Sequence, residues 1–170
     1  CAGRDWELDQ DLLPYDIRAS VAHARGLGAI GVLRAKEVDR LVKELGRLEA
    51  RWQAGRFRTR PEHEDGHTAI ELALTRKLGD LGKKIHTGRS RNDQVIAALR
   101  LYAKDRLRVV SDAALDLAHA LVQLARHNEK LPMPGYTHTR RAMLSSAGLW
   151  ASAHAEALAD DMGWLAIGYT

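Results

Sequence analysis

The stretch from Lys83 to Gln94, K-K-I-H-T-G-R-S-R-N-D-Q, sets two arginines and a run of hydrogen-bonding side chains where a loop turns into a helix. That combination suits a small-anion site. Gly88 supplies a turn, Ser90 can serve as N-cap, and Asp93 three residues on closes a capping box ahead of a long apolar-periodic run, so a helix should begin at Arg91. The unpaired N–H groups and dipole of a helix start favour a carboxylate or phosphate, and Arg89 and Arg91 add forked donors that match a carboxylate's two oxygens. A plain capping box with two solvated arginines is spelled the same way, and the stretch alone fits both readings.

Two other places have residue types that do chemistry. Pro134-Gly135-Tyr136-Thr137-His138 puts a histidine beside a threonine hydroxyl at a loop-to-helix junction, which suits proton transfer near neutral pH, although an isolated histidine more often caps or packs. His63-Glu64-Asp65-Gly66-His67 matches the H-E-x-x-H pattern of zinc proteases. Its context is poor: Gly66 would fall in the first turns of the helix, Pro61 puts His63 at or before the helix start, and Glu71 and His86 are third-ligand candidates by proximity alone. No metal is expected there. His23, His119, His127 and His154 fall within helices with no visible partner and read as structural.

The elements that must hold these residues are helices. A short one is expected over 16–27, capped by Asp16 and broken by Gly26, Gly28 and Gly31. From Ala35 to Trp52, apolar residues recur at alternating spacings of three and four (Val38, Leu41, Leu45, Leu48, Trp52), the seam of a helix packed lengthwise on another, which Gly55 ends. The basic stretch Arg56, Arg58, Arg60 before Pro61 reads as a solvated loop. A third helix should span 65–78. The fourth, after Ser90, meets no breaker until Asn128 and would be about 55 Å long at 1.5 Å per residue. A rod of that length implies partner helices from more chain or other subunits. Pro132, Pro134 and Gly135 interrupt before a last helical stretch from Met143 to Ile167, which is apolar on more than one face and demands burial.

The 170 residues carry 26 basic and 22 acidic side chains for a net charge of +4, mild and interspersed, so neither nucleic-acid binding nor a polyanion stripe is called for. No stretch free of charged residues near the C-terminus reaches the ~20 residues of a membrane helix. The single cysteine, Cys1, cannot form an internal disulfide, which agrees with a reducing, cytoplasmic setting.

Taken together, H-T-G-R-S-R-N-D-Q at His86–Gln94 and M-P-G-Y-T-H at Met133–His138 closely resemble the two N-terminal signature regions of the argininosuccinate lyases, within the fumarase/aspartase superfamily. Y-D-I-R-A-S-V-A at Tyr15–Ala22 resembles that family's D-I-x-x-S-x-A, and E-D-G-H-T-A-I-E at Glu64–Glu71 its E-D-x-H-x-x-x-E. The resemblance covers essentially the whole chain. It implies an all-α fold, with an N-terminal helical domain (1–88) followed by the first helices of a central bundle (89–170). It also implies a cofactor-free β-elimination that cleaves a C–N bond of argininosuccinate to give arginine and fumarate, in a homotetramer whose active sites are shared between subunits. By family match Ser20, Arg91, Asn92 and Thr137 are substrate-binding residues, and His138 is the acid/base histidine.

The resemblance carries two departures. The family's second catalytic residue is a serine in a mobile loop, G-S-S-x-M-P-x-K-x-N-P, which does not occur here, and family chains are more than twice as long. The chain reads as an N-terminal portion, with the remainder a possible separate polypeptide. After His138 many members read L-Q-x-A-Q-P, whereas this chain has Thr139-Arg140-Arg141-Ala142-Met143-Leu144, which leaves room for a variant substrate. A non-catalytic helical scaffold and a zinc hydrolase are the competing readings.

Overall fold

The computed structural model describes residues 4–169 and places them in two compact units, 1–103 and 104–170. Cys1 lies outside the described residues. The regular elements of the first unit are all helical: α1 (Asp5–Leu8), α2 (Leu13–Ala29), α3 (Ala35–Gln53), α4 (Gly66–Leu78), the single turn α5 (Asp80–Lys83), and the start of α6 (Arg91–His127), with short 3-10 turns over Pro61–His63 and Lys84–His86.

Its core forms where the apolar stripes of α2, α3 and α4 meet. Leu13, Ile17, Leu41, Leu45, Leu48, Ile70, Leu74 and Ile85 are essentially inaccessible, with Val38 and Trp52 packed against them, so the three-four spacing read along α3 is its buried seam. Asp65 caps α4 by accepting a hydrogen bond from the Thr68 N–H at 2.7 Å. α5 folds back tightly on α4. A Cβ at Gly82 would lie 2.6 Å from the backbone of Leu74 and Thr75, so only glycine permits the approach.

The helix expected over 16–27 is longer, because Pro14 lies in its first turn, where a missing N–H costs nothing, and Gly26 and Gly28 continue it rather than break it. Asp16 is consequently not the cap; it sits inside the first turn, buried.

In the second unit α6 runs on to His127, and α7 (Ala147–Tyr169) follows a β-hairpin of β1 (Pro132–Thr137) and β2 (Arg140–Ser146). The antiparallel register pairs Pro132 with Ser146 and Thr137 with Arg140, and a bulge falls at Gly135. The hairpin corrects the expectation of helix from Met143. Its first strand carries two prolines, which pair without donating, and the second runs to Ser146, whose hydroxyl caps α7 by accepting from the Leu149 N–H at 3.0 Å. The first turn of α7 also donates from Ala147 to the Leu131 carbonyl and from Gly148 to that of Asn128, at 3.0 and 3.1 Å. The fold is mainly helical, as expected, with this one two-stranded exception among the described residues.

Candidate functional site

The capping box predicted at the start of α6 is present. The Ser90 N–H donates to Asp93 Oδ2 at 2.8 Å, and the Asp93 N–H donates to Ser90 Oγ at 3.3 Å. That fixes the loop 84–90 over α2. His23, half-buried on α2, places its Nε2 3.0 Å from the Thr87 carbonyl and pins the H-T-G turn from below.

Beneath the helix start lies a buried polar network. Gln94 donates to Asp16 Oδ1, Ser20 Oγ donates to the same oxygen at 3.4 Å, and Arg89 Nη2 donates to Ser20 Oγ at 3.2 Å. Asp16, Ser20 and Gln94 are 6%, 0% and 2% exposed, so none of them can rely on water. Burial pushes the Asp16 carboxyl up to about 6, against the Gln94 hydrogen bond and the charge of Arg89, which both favour the carboxylate. Arg89 Nε and Gln94 Oε1 have no hydrogen-bond partner among the described residues, leaving a charged donor and an amide acceptor uncommitted.

Arg91 is tied to α4. Its guanidinium lies 3.3 Å from Asp65 Oδ2 and 3.5 Å from Glu64 Oε1, and donates to Thr68 Oγ1 at 3.2 Å. It therefore clamps the starts of α4 and α6 together. Asn92, next to it, is exposed.

The H-E-x-x-H pair does not form. His63 sits in a separate 3-10 turn over Pro61–His63, where Nδ1 accepts from the Arg60 N–H at 3.0 Å, and Glu64 takes a left-handed conformation (φ 62°) before α4 begins. His67 meets other partners. Its ring stands edge-on to His86 at 4.1 Å, and His86 Nε2 lies 3.2 Å from Glu71 Oε2. The donor atoms of His67, Glu71 and His86 all fall within 4.8 Å of one another, a set whose chemistry suits zinc. Burial drives His67 down to about 4, with His86 and the nearby arginines adding to the fall, and burial, ahead of Arg89 and Arg91, lowers His86 against the pull of Glu71. The three side chains form one cluster, with His86 against Glu71 and His67 beside it.

Thr137 and His138 lie in the second unit, exposed, at the hairpin tip. His138 and Thr139 form the two-residue turn with φ of 50° and 64°, the type I′ signature in which Asn-Gly is usual. A β-branched residue at positive φ is strained, and strain of this kind collects where a side chain must be aimed. Ser20, Arg91 and Asn92 thus gather at one helix start of the first unit, and Thr137 with His138 at one turn of the second.

Sequence reading missed Asp16, His23 and Gln94 as members of the site. The signal for Asp16 was its place on the buried stripe Leu13, Ile17, Ser20, Ala24, Leu27: two polar residues on an apolar face must answer each other. His23 and Gln94 required the long-range pairing itself.

The sequence matches a family described as lyase over residues 5–166. It is 55% identical over 156 residues to an argininosuccinate lyase of Sorangium cellulosum, covering 92% of this chain and 36% of that protein. To an argininosuccinate lyase of Xylella fastidiosa it is 49% identical over 160 residues, covering 94% and 36%. The chain spans about a third of the length of the curated relatives it matches. Among solved structures, EDDS lyase in complex with formate superposes with a TM-score of 0.81 at 28% identity, over 94% of this chain and 31% of that one. A fumarate lyase from Mesorhizobium sp. BNC1, at 22% identity and a TM-score of 0.75 over 92% and 37%, shares the fold. By its sequence match along nearly its whole length, the chain belongs to the lyase family.

Proposed function

We propose that the chain supplies part of the active site of an argininosuccinate lyase, which eliminates arginine from argininosuccinate and leaves fumarate. The observation that carries this reading is the start of α6, where Arg89, with an uncommitted Nε, and the exposed Asn92 flank first-turn amides that have no intrahelical acceptor. The reaction removes a proton from the carbon beside a succinyl carboxylate. The electron pair moves onto that carboxylate, then forms the carbon–carbon double bond as the C–N bond breaks, and the departing guanidino nitrogen gains a proton. Donors placed where that negative charge grows lower the barrier.

In this reading Ser20, Arg91, Asn92 and Thr137 bind the substrate, directly or by holding its contacts. Ser20 is fully buried and engaged by Asp16 and Arg89, so it acts through the Arg89 guanidinium. Arg91 acts by holding α4 against the α6 start. His138 exchanges a proton with the substrate. The other half of the acid/base pair comes from chain beyond these residues, and residues 1–88 and 89–170 form an N-terminal domain and the first part of a helical bundle that completes itself in a cytoplasmic homotetramer. A related lyase acting on a different amino-acid adduct is a second reading, favoured by the Thr139–Leu144 departure, which the structure places on the hairpin beside His138.

The test combines the full chain with the remaining two-thirds supplied from a relative and follows fumarate release from argininosuccinate. Asn92→Ala should lower kcat/KM by about 10- to 100-fold, the worth of one hydrogen bond to a charged group. Activity toward another adduct in preference to argininosuccinate would select the second reading.

A further inference from the structure

The loop between α3 and α4 was read as a solvated basic stretch, and the structure gives it a different setting. Burial alternates along residues 56–60: Phe57 and Thr59 turn inward, 7% and 3% exposed, while Arg56, Arg58 and Arg60 are exposed. These three arginines border a cavity of about 340 Å³, to which α3 adds Arg51 and the last turn of α4 adds Arg76 and Lys77. Six cationic side chains and no carboxylate line it, and His63 sits at its edge.

Elsewhere on the same unit several cations are answered, while others, such as Arg18, Arg25 and Arg40, stand apart from one another along their helices without an ion pair among the described residues. Arg4 pairs with Glu7, Arg34 and Lys84 with Glu37, Arg47 with Glu44, and Lys83 with Asp80. None of the six around the cavity has an ion-pair partner among the described residues. Helix dipoles account for part of this, since Arg51, Arg76 and Lys77 fall in last turns where a cation is favoured. They do not account for Arg56, Arg58 and Arg60. The floor is apolar, made by Phe57, Ala69, Leu72 and Ala73, and the Arg51 guanidinium stacks over the Phe57 ring at 5.8 Å, which holds it in place before any ligand arrives.

We propose that this cavity binds a small molecule bearing two or more linked phosphoryl groups. Guanidinium forks match phosphate oxygens in pairs, and a single monoanion would leave most of the six charges facing one another. The volume is that of a small-molecule site, and the cationic residues ring one concavity rather than forming the extended stripe a polynucleotide follows. The site is built from residues 51–77 and shares no residue with the network at the start of α6.

Titration calorimetry on the full chain tests it, with inorganic tripolyphosphate, a nucleoside triphosphate, orthophosphate and a short oligonucleotide as separate probes. Tripolyphosphate should saturate one site per chain, bind at least about tenfold more tightly than orthophosphate, and weaken as salt is raised. Equal affinity for the nucleoside triphosphate assigns recognition to the phosphate chain, and tighter binding assigns a share to the apolar floor. The exposed pair Arg60→Ala/Arg76→Ala should weaken tripolyphosphate binding by at least about tenfold, with helicity by circular dichroism unchanged, while Arg40→Ala, on α3 away from the cavity, should not alter it. Absence of saturable binding, equal loss in the Arg40 variant, or binding of the oligonucleotide alone overturns the proposal.

Discussion

The two units solve the burial of their helices in opposite ways. Residues 1–103 bury eight large aliphatic side chains almost completely, and the polar network under α6 is enclosed by the same packing. In residues 104–170 the described residues that reach the buried class are small: Ala125, Gly148, Ala151 and Ala155. Leu117, Leu124, Leu149, Trp150, Trp164 and Ile167 remain 45–74% exposed. The first unit therefore owes its order to its own side chains, whereas the second presents apolar faces that its own described residues leave exposed. A site residue in the first unit is held by what surrounds it here; one in the second is held only by its local backbone, the strained turn at His138 and Thr139.

The sharpest way to break this contrast is truncation of a leucine in each unit. Leu45→Ala should cost about 3 kcal/mol or more in urea unfolding of the isolated chain, because its side chain is inaccessible and leaves a cavity. Leu117→Ala, 54% exposed, should stay within about 0.5 kcal/mol. Equal losses would show that the second unit is covered by its own residues.

A second effect, close in size, lies inside the first unit and is read against pH. The Asp16 carboxyl is raised from 3.8 to about 6, so its contribution to stability is fully present below 3.8 and is lost as pH rises through about 6. His67 is lowered from 6.5 to about 4; its contribution is fully present above 6.5 and is lost as pH falls through about 4. Each shift is worth at most about 3 kcal/mol, and between these values the two oppose one another. Relative to the parent, Asp16→Asn should therefore gain in stability as pH rises across this window, and His67→Asn should lose, as followed by denaturant midpoints. Difference curves of the same sign would contradict the burial assigned to one of them.

The smallest effect belongs to the second unit. Thr139→Gly removes a β-branched residue from φ 64° and should stabilise the hairpin by about 1 kcal/mol, visible as slower amide exchange across β1 and β2. A loss of stability would show that the Thr139 hydroxyl, which donates to the His138 carbonyl at 2.6 Å, matters more than the strain.

Legibility in the sequence followed the range of the interactions. The α3 seam, the Ser90–Asp93 capping box and the extent of α6 rest on spacings of three and four, and all are legible in the sequence. The hairpin was not, because its strands are defined by pairing and its apolar residues Met143 and Leu144, 80% and 79% exposed, spell a helix start equally well. The helix start was correctly seen as a polar cluster, but its deepest members, Asp16 and Gln94, are joined across 78 residues of sequence, a distance no local pattern spans. The His63–His67 motif failed for a local reason: Glu64 at positive φ separates the two histidines into different elements.

In the proposed function His138 is the proton-transferring group of an elimination. Its most direct test is fumarate release from argininosuccinate by the chain combined with the two-thirds of a relative's length that it does not match, comparing the parent with His138→Asn. The account predicts that the substitution abolishes turnover while the assembly and its helicity are retained; undiminished fumarate release by the variant would contradict it.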